Sequence, residues 1–268
     1  MENSSISPSQ LPDWLLSRGR HFVTTAEAAA LLGVEESKVH LSFHRSRDAR
    51  KIVSVTKGGW VPVPPEYRDA GAPPPIHYID QLMRHLDHPY YVGLLSAARL
   101  HGASHQVPMV LQVVTPALLR GRRIGGSRIQ FIRRAATAHR PVQQHNVSTG
   151  RVTIATPETT ALDIVEAPDL AAGLGNVGNV LGELVIEGLI DDDRLAAAAA
   201  RYPSTVAQRA GHLIEHMAEE VGTAIELDEL AAQIEGRDYT MLDPRSGERG
   251  PRDERWRVVI NTDVEHDL

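Results

Sequence analysis

The sequence predicts an α+β fold: a small N-terminal helix–turn–helix unit closed by a β-hairpin, then a larger mixed α/β domain with a helical C-terminal half. Three observations carry this expectation. Residues 24–63 run from a helix start through Gly33 into a second helical pattern and end in "KIVSVTKGGWVPV". Residues 64–75, "PPEYRDAGAPPP", place five prolines between two patterned regions, which reads as a linker or a tight extended connection. From Pro157 onward apolar residues recur mainly at helical spacing. The expected domains are residues 1–70 and 76–268.

In the first unit, Thr24 with Glu27 three residues on is a capping box, starting a helix to about Leu32. Gly33 ends it, because glycine adopts positive φ without strain. A second helix follows from about Glu35, with Glu35, Glu36 and Ser37 in a first turn that suits the helix dipole. Ala29 is small where two helices cross, and Val34 and Val39 are placed to face inward. That spacing is the helix-turn-helix pattern. "KIVSV", "TKGG" and "WVPV" then form a hairpin, with Gly58 and Gly59 at the turn and Ile52, Val55 and Val61 packing it back. Together these make a winged helix-turn-helix.

On this register the second helix exposes Ser37, Lys38, His40, Leu41, His44 and Arg45. With Thr25, Arg47, Lys51 and Lys57 at the wing tip, these are the candidate DNA-contacting residues, since such donors meet phosphates or base edges. A second reading stands beside it: the same fold making protein contacts with a solvated basic face. The modest net charge of residues 1–63, eight Lys+Arg against six Asp+Glu, keeps that reading open.

After the prolines, "IHYIDQLMRHLDHP" and "YYVGLLSAARLHGAS" read as helices; "MVLQVVTP", "RIQFIRRA" and "GRVTIATP" read as strands. Four further helical stretches follow: "PETTALDIV", "GNVLGELVIEGL", "DDDRLAAAAARY" and "TVAQRAGHLIEHMAEEV". The tail "ERWRVVINTDV" predicts one last strand.

Charge is unevenly placed. Residues 64–150 carry ten basic against four acidic side chains, and residues 151–268 ten against twenty-four. The first 150 residues suit a polyanion, which the remainder would repel. The densest basic stretch is "RGRRIGGSRIQFIRRA", with Arg120, Arg122, Arg123, Arg128, Arg133 and Arg134 and no acid. It is either a second polyanion surface or a hairpin whose edges carry arginine for solubility.

Several chemistries are excluded or disfavoured. The chain has no cysteine, which removes disulfides, thiolate metal sites and cysteine nucleophiles and suits a reducing cytoplasm. "MENSSISPSQLPDW" lacks the features of a secretory signal, and no apolar run is long enough to span a membrane. No lysine follows Lys57, so the larger domain cannot supply a Walker-type phosphate loop or a Schiff base. "GLGNVG" at 173–178 matches a dinucleotide fingerprint but lacks the strand that must precede it. "HLIEH" at 212–216 fits a zinc pattern without an identifiable third ligand. "HLDH" at 85–88 and "HGASH" at 101–105 are weaker still. No catalytic residue, cofactor or metal is expected.

Taken in order, "TTAEAAALLGVEESKV", "GGWVPV", "YYVGLLSAARLHGAS", "IATPETTALDIV", "NVGNVLGELV" and "YPSTVAQRAGHLIE" resemble AbiEi-family antitoxins of toxin–antitoxin operons. The resemblance implies a winged helix-turn-helix joined to an antitoxin domain. It implies binding to inverted repeats in double-stranded promoter DNA, with repression of the protein's own operon. It also implies antagonism of a co-encoded nucleotidyltransferase-like toxin, often without a stable complex. The alternative is a one-component transcriptional regulator whose larger domain senses a ligand.

Overall fold

The computed structural model describes residues 6–103, 110–135, 139–247 and 249–264. His105, singled out above, lies outside the described residues. The fold is mixed α+β and divides into two compact units. One takes in the described residues of Met1–Tyr90, Met109–Ala135 and Gln144–Thr153. The other takes in those of Tyr91–Pro108, Ala136–Gln143 and Ile154–Leu268.

The chain begins with α1 (Leu11–Ser17) and β1 (Val23–Thr24), followed by α2 (Thr25–Leu32). The capping box forms: the Glu27 amide donates to Thr24 Oγ1 at 3.1 Å, and the Thr24 amide to the Glu27 carboxylate at 2.8 Å. Gly33 stops α2 at φ 65°. The expected single second helix is instead two, α3 (Glu36–Ser42) and α4 (His44–Asp48), broken at Phe43. Phe43, at the break, is fully buried with its ring edge-on to Trp60 at 5.0 Å.

The hairpin of β2 (Ile52–Thr56) and β3 (Gly59–Pro62) turns at Lys57 and Gly58, where Gly58 has φ 75°. The sheet order is β1-β3-β2, all antiparallel. Leu11, Leu15, Val23, Ala28, Val39, Phe43, Ile52 and Trp60 form the core beneath it. Neither α1 nor β1 is an expectation of the sequence. Each is short, and α1 is recognisable only by the two leucines it buries one turn apart.

The proline-rich stretch is packed: it contains a 3₁₀ turn at Pro65–Tyr67, meets another at Pro75–His77, and buries Ala72 and Pro75. Then come α5 (Ile79–His85), β4 (Tyr91–Val92), α6 (Leu94–Leu100), β5 (Val110–Thr115), β6 (Arg122–Ile124) and β7 (Ser127–Arg133). Within the first unit β7 pairs with β5 in parallel and with β6 antiparallel. The β6–β7 turn rests on the proline-rich stretch, the Gly126 amide donating to the Ala70 carbonyl at 2.9 Å. A side chain on Gly125 would collide with that same carbonyl.

The strands β8 (Val142–Val147) and β9 (Gly150–Ala155) precede α7 (Pro157–Glu166), and β9 pairs in parallel with β4 at Val92 and Ile154. Thr156 caps α7, and Pro157 through Val165 are all buried, so α7 is the hub of the second unit. Around it pack α8 (Leu174–Ile186), α9 (Asp192–Ala199) and α10 (Ser204–Glu220), followed by α11 (Asp228–Ile234). Residues 173–178 lead from a 3₁₀ turn directly into α8, with Gly173 at φ 96°. Here the glycines make a helix start, with no strand before them.

The tail is more than one strand. The two-residue strands β10 (Thr240–Met241), β11 (Arg252–Asp253) and β12 (Val258–Val259) form a sheet of order β10-β12-β11. It presses Trp256, fully buried, against Gly211 of α10. Among the described residues no helix is long and apolar enough to cross a membrane.

Candidate nucleic-acid interface

The candidate DNA-contacting residues separate into two groups. Ser37, Lys38, His40, Leu41, His44, Arg45, Arg47 and Lys57 are exposed. Thr25 and Lys51 are only partly exposed and already engaged. The Trp60 indole N–H donates to Thr25 Oγ1 at 3.0 Å, and Lys51 Nζ meets Asp13 at 2.9 Å beside Arg68. Those two side chains hold the core and the sheet to α1.

The exposed group is built by helical spacing. Ser37, Lys38 and Leu41 lie three and four residues apart on α3, while the break at Phe43 puts His44 and Arg45 on α4. Each imidazole has a partner that sets its tautomer. Arg47 Nη1 lies 3.0 Å from His40 Nε2, and a guanidinium has no acceptor, so Nε2 accepts and the proton sits on Nδ1. His44 Nδ1 faces Asp48 at 2.9 Å and donates to it, which leaves Nε2 outward. His40 and His44 are thus each engaged at one ring nitrogen by a side chain of α4. Lys38 pairs with Glu35 at 3.3 Å in an exposed contact, the weak kind that a phosphate readily displaces.

The wing is anchored from below and beside. Gly59 has no room for a side chain, since a Cβ there would meet Phe22 at 2.7 Å. The His85 ring nitrogen lies 3.2 Å from the Lys57 carbonyl. Arg122 Nη1 donates to the Val55 carbonyl at 3.0 Å, joining the arginine hairpin to the wing. Burial lowers the Arg122 pKa from its ordinary value.

The six arginines of 120–135 do not form one patch. Arg122, Arg123 and Arg128 line an open cleft of about 590 Å³ with Val110, Gly121 and Gly126. Arg123 and Arg128 are register partners across β6 and β7. Like charges directly opposite on a sheet repel, and an anion between them relieves the repulsion. Arg133 and Arg134 lie at the far end of β7, roughly 15 Å along the strand. Arg120 is exposed in the loop before β6.

The second unit holds a buried ion cluster that the sequence did not reveal. Arg140 Nη1 donates to Asp163 at 2.5 Å, and Nη2 to both Glu166 oxygens at 3.0 Å. The Tyr91 and Tyr202 hydroxyls donate to the two Asp163 oxygens at 2.9 and 2.8 Å, and the guanidinium lies 4.0 Å over the Tyr202 ring. Burial pushes the Asp163 carboxyl up to about 6, against the lowering by Arg140 and the two hydroxyls. Asp163 and Glu166 are three residues apart on α7, but their hydrogen-bond partners lie 23 to 72 positions away, so no spacing rule links the set.

The zinc-like pattern resolves into packing. His212 Nδ1 meets Asp253 at 2.7 Å, and Glu215 accepts from the Trp256 indole N–H. Among the described residues no group of three or more His, Cys, Asp or Glu is placed to hold a metal ion.

No curated protein matches this chain. Its fold is similar to that in the crystal structure of RV2827C protein from Mycobacterium tuberculosis, with a TM-score of 0.62 at 17% identity, over 94% of this chain and 90% of that one. Residues 91–216, which include Tyr91, Arg140, Asp163, Glu166 and Tyr202, match the AbiEi antitoxin C-terminal domain. Over residues 91–216 the chain is thus similar to AbiEi antitoxins in their C-terminal domain.

Proposed function

We propose that the protein is an antitoxin that represses its own operon. Residues 1–70 act as a winged helix-turn-helix on inverted repeats in double-stranded promoter DNA. Residues 76–268 counter a co-encoded nucleotidyltransferase-like toxin, without catalysis or cofactor, in the cytoplasm. The observation that carries the DNA-binding reading is the exposed row on α3 and α4 beside a hairpin with Lys57 at its tip. His40 and His44 add imidazoles to that row, groups able to donate to or accept from base edges.

The expected result is a preference of about 10³-fold or more for DNA upstream of the gene over scrambled DNA, with affinity falling steeply as salt rises. His40→Ala and His44→Ala are expected to cost about 1–3 kcal/mol each on the native promoter. Lys57→Ala is expected to weaken both DNAs alike and lower the salt slope by about one charge. Equal, weak binding to both DNAs would overturn the reading.

One observation favours a second reading, a regulator that senses a small anion: the cleft of Arg122, Arg123 and Arg128. The double variant Arg123→Glu, Arg128→Glu separates the two. On the antitoxin reading these arginines extend the surface for DNA flanking the operator, so promoter affinity and salt slope fall together. An unchanged promoter affinity with no anion present, joined to loss of a phosphate-dependent change in that affinity, supports the sensor.

A further inference from the structure

We infer that Leu41 reads a thymine methyl group in the operator; this rests on the DNA-binding reading above. Leu41 is 74% exposed, a high value for a leucine on a helix whose neighbour Val39 is fully buried. Single exposed apolar residues are common on protein surfaces, so exposure alone does not assign it a role. Its place does. One turn before it on α3 stand Ser37 and Lys38, and three and four residues after it His44 and Arg45.

Leu41 is therefore the exposed apolar residue of a row that also carries hydroxyl, ammonium, imidazole and guanidinium groups. A protein partner would need a wider apolar area than one leucine supplies. The other large exposed apolar residues, Leu118, Val142, Ile186 and Met241, lie on none of these helices. In a major groove the apolar feature of a base edge is the thymine C5 methyl, and the surrounding donors match the acceptors and phosphates beside it. The polar groups of the row orient the helix, and Leu41 distinguishes thymine from cytosine at one position in each half-site.

The test removes only the methyl. After footprinting has defined the operator, each thymine is replaced in turn by deoxyuridine. Affinities of the full-length wild type and of Leu41→Ala are then measured at one salt concentration. Leu41 touches no core, so the variant folds, and its thermal unfolding confirms this. For the wild type, one thymine per half-site is expected to lose roughly fourfold in affinity on conversion to deoxyuridine. Leu41→Ala is expected to bind both versions of that site equally. Specific binding in which every deoxyuridine is tolerated, or in which Leu41→Ala keeps the wild-type dependence, overturns the inference and leaves the repressor reading intact. Absence of promoter preference in the wild type overturns both.

Discussion

Arg140→Met is expected to lower the stability of the folded chain by about 3–5 kcal/mol at pH 7.5, because it leaves Asp163 and Glu166 without their buried cation. Asp163 is 2% exposed, so water cannot replace the lost partner. The two tyrosine hydroxyls remain as donors and soften the loss without supplying charge. The loss should also depend on pH. A buried carboxyl with its folded pKa raised above the unfolded value destabilises the fold as pH rises between the two, then by a constant amount above both.

In the native protein that window runs from the ordinary aspartate range to about 6. Without Arg140 its upper end moves higher, so the variant's deficit should be largest at neutral and alkaline pH and much smaller near pH 4. Urea denaturation at pH 7.5 and pH 4.5, followed by far-ultraviolet circular dichroism, reads this directly. A deficit that stays the same at both values would mean that Asp163 is not the group left uncompensated.

Trp256→Ala should cost a similar amount, about 3–5 kcal/mol, as expected for emptying a fully enclosed aromatic site. The diagnostic result comes from combining it with Gly211→Ala. Gly211 lies in the interior of α10, where alanine is favoured over glycine by about 1 kcal/mol. In the native protein the added methyl would enter the Trp256 indole, so Gly211→Ala alone should destabilise by roughly 1–3 kcal/mol. With the indole gone, the same change should be neutral or stabilising. A double-mutant cycle in thermal unfolding measures that reversal. Additive losses would mean that the cost of the Gly211 methyl does not arise at the Trp256 indole.

How much of this could be read in advance follows from how far apart the interacting residues lie in sequence. The capping box of Thr24 and Glu27, the stop at Gly33 and the hairpin turn are local, and the sequence states them through residue type and spacing. The break at Phe43 is not local. Phe43 packs edge-on against Trp60, seventeen residues on, a contact that helical periodicity does not encode. The tail sheet consists of two-residue strands, too short to show alternation.

The candidate interface was legible as a set of exposed donors, but their assignments were not. That Lys51 is held by Asp13 and Thr25 by Trp60 depends on partners 38 and 35 residues distant. Arg122 sits in a charge run that invites one reading for all six arginines. Its bond to the Val55 carbonyl, 67 residues away, separates it from Arg133 and Arg134.

The placement of lysine has a consequence for the chemistry of the surface. The three side-chain amines are at 38, 51 and 57: one on α3, one ahead of the hairpin and one at its tip. All other side-chain cations apart from histidine are guanidinium groups, which acylating reagents leave intact. Acetylation of lysines, by an enzyme or by a simple anhydride, would therefore remove the ammonium charges of this corner while Arg45, Arg47, the cleft arginines and the whole second unit kept theirs. Mass spectrometry of the acylated protein with and without DNA then tests the proposed DNA surface through Lys38 and Lys57, with Lys51, held by Asp13, as the internal reference.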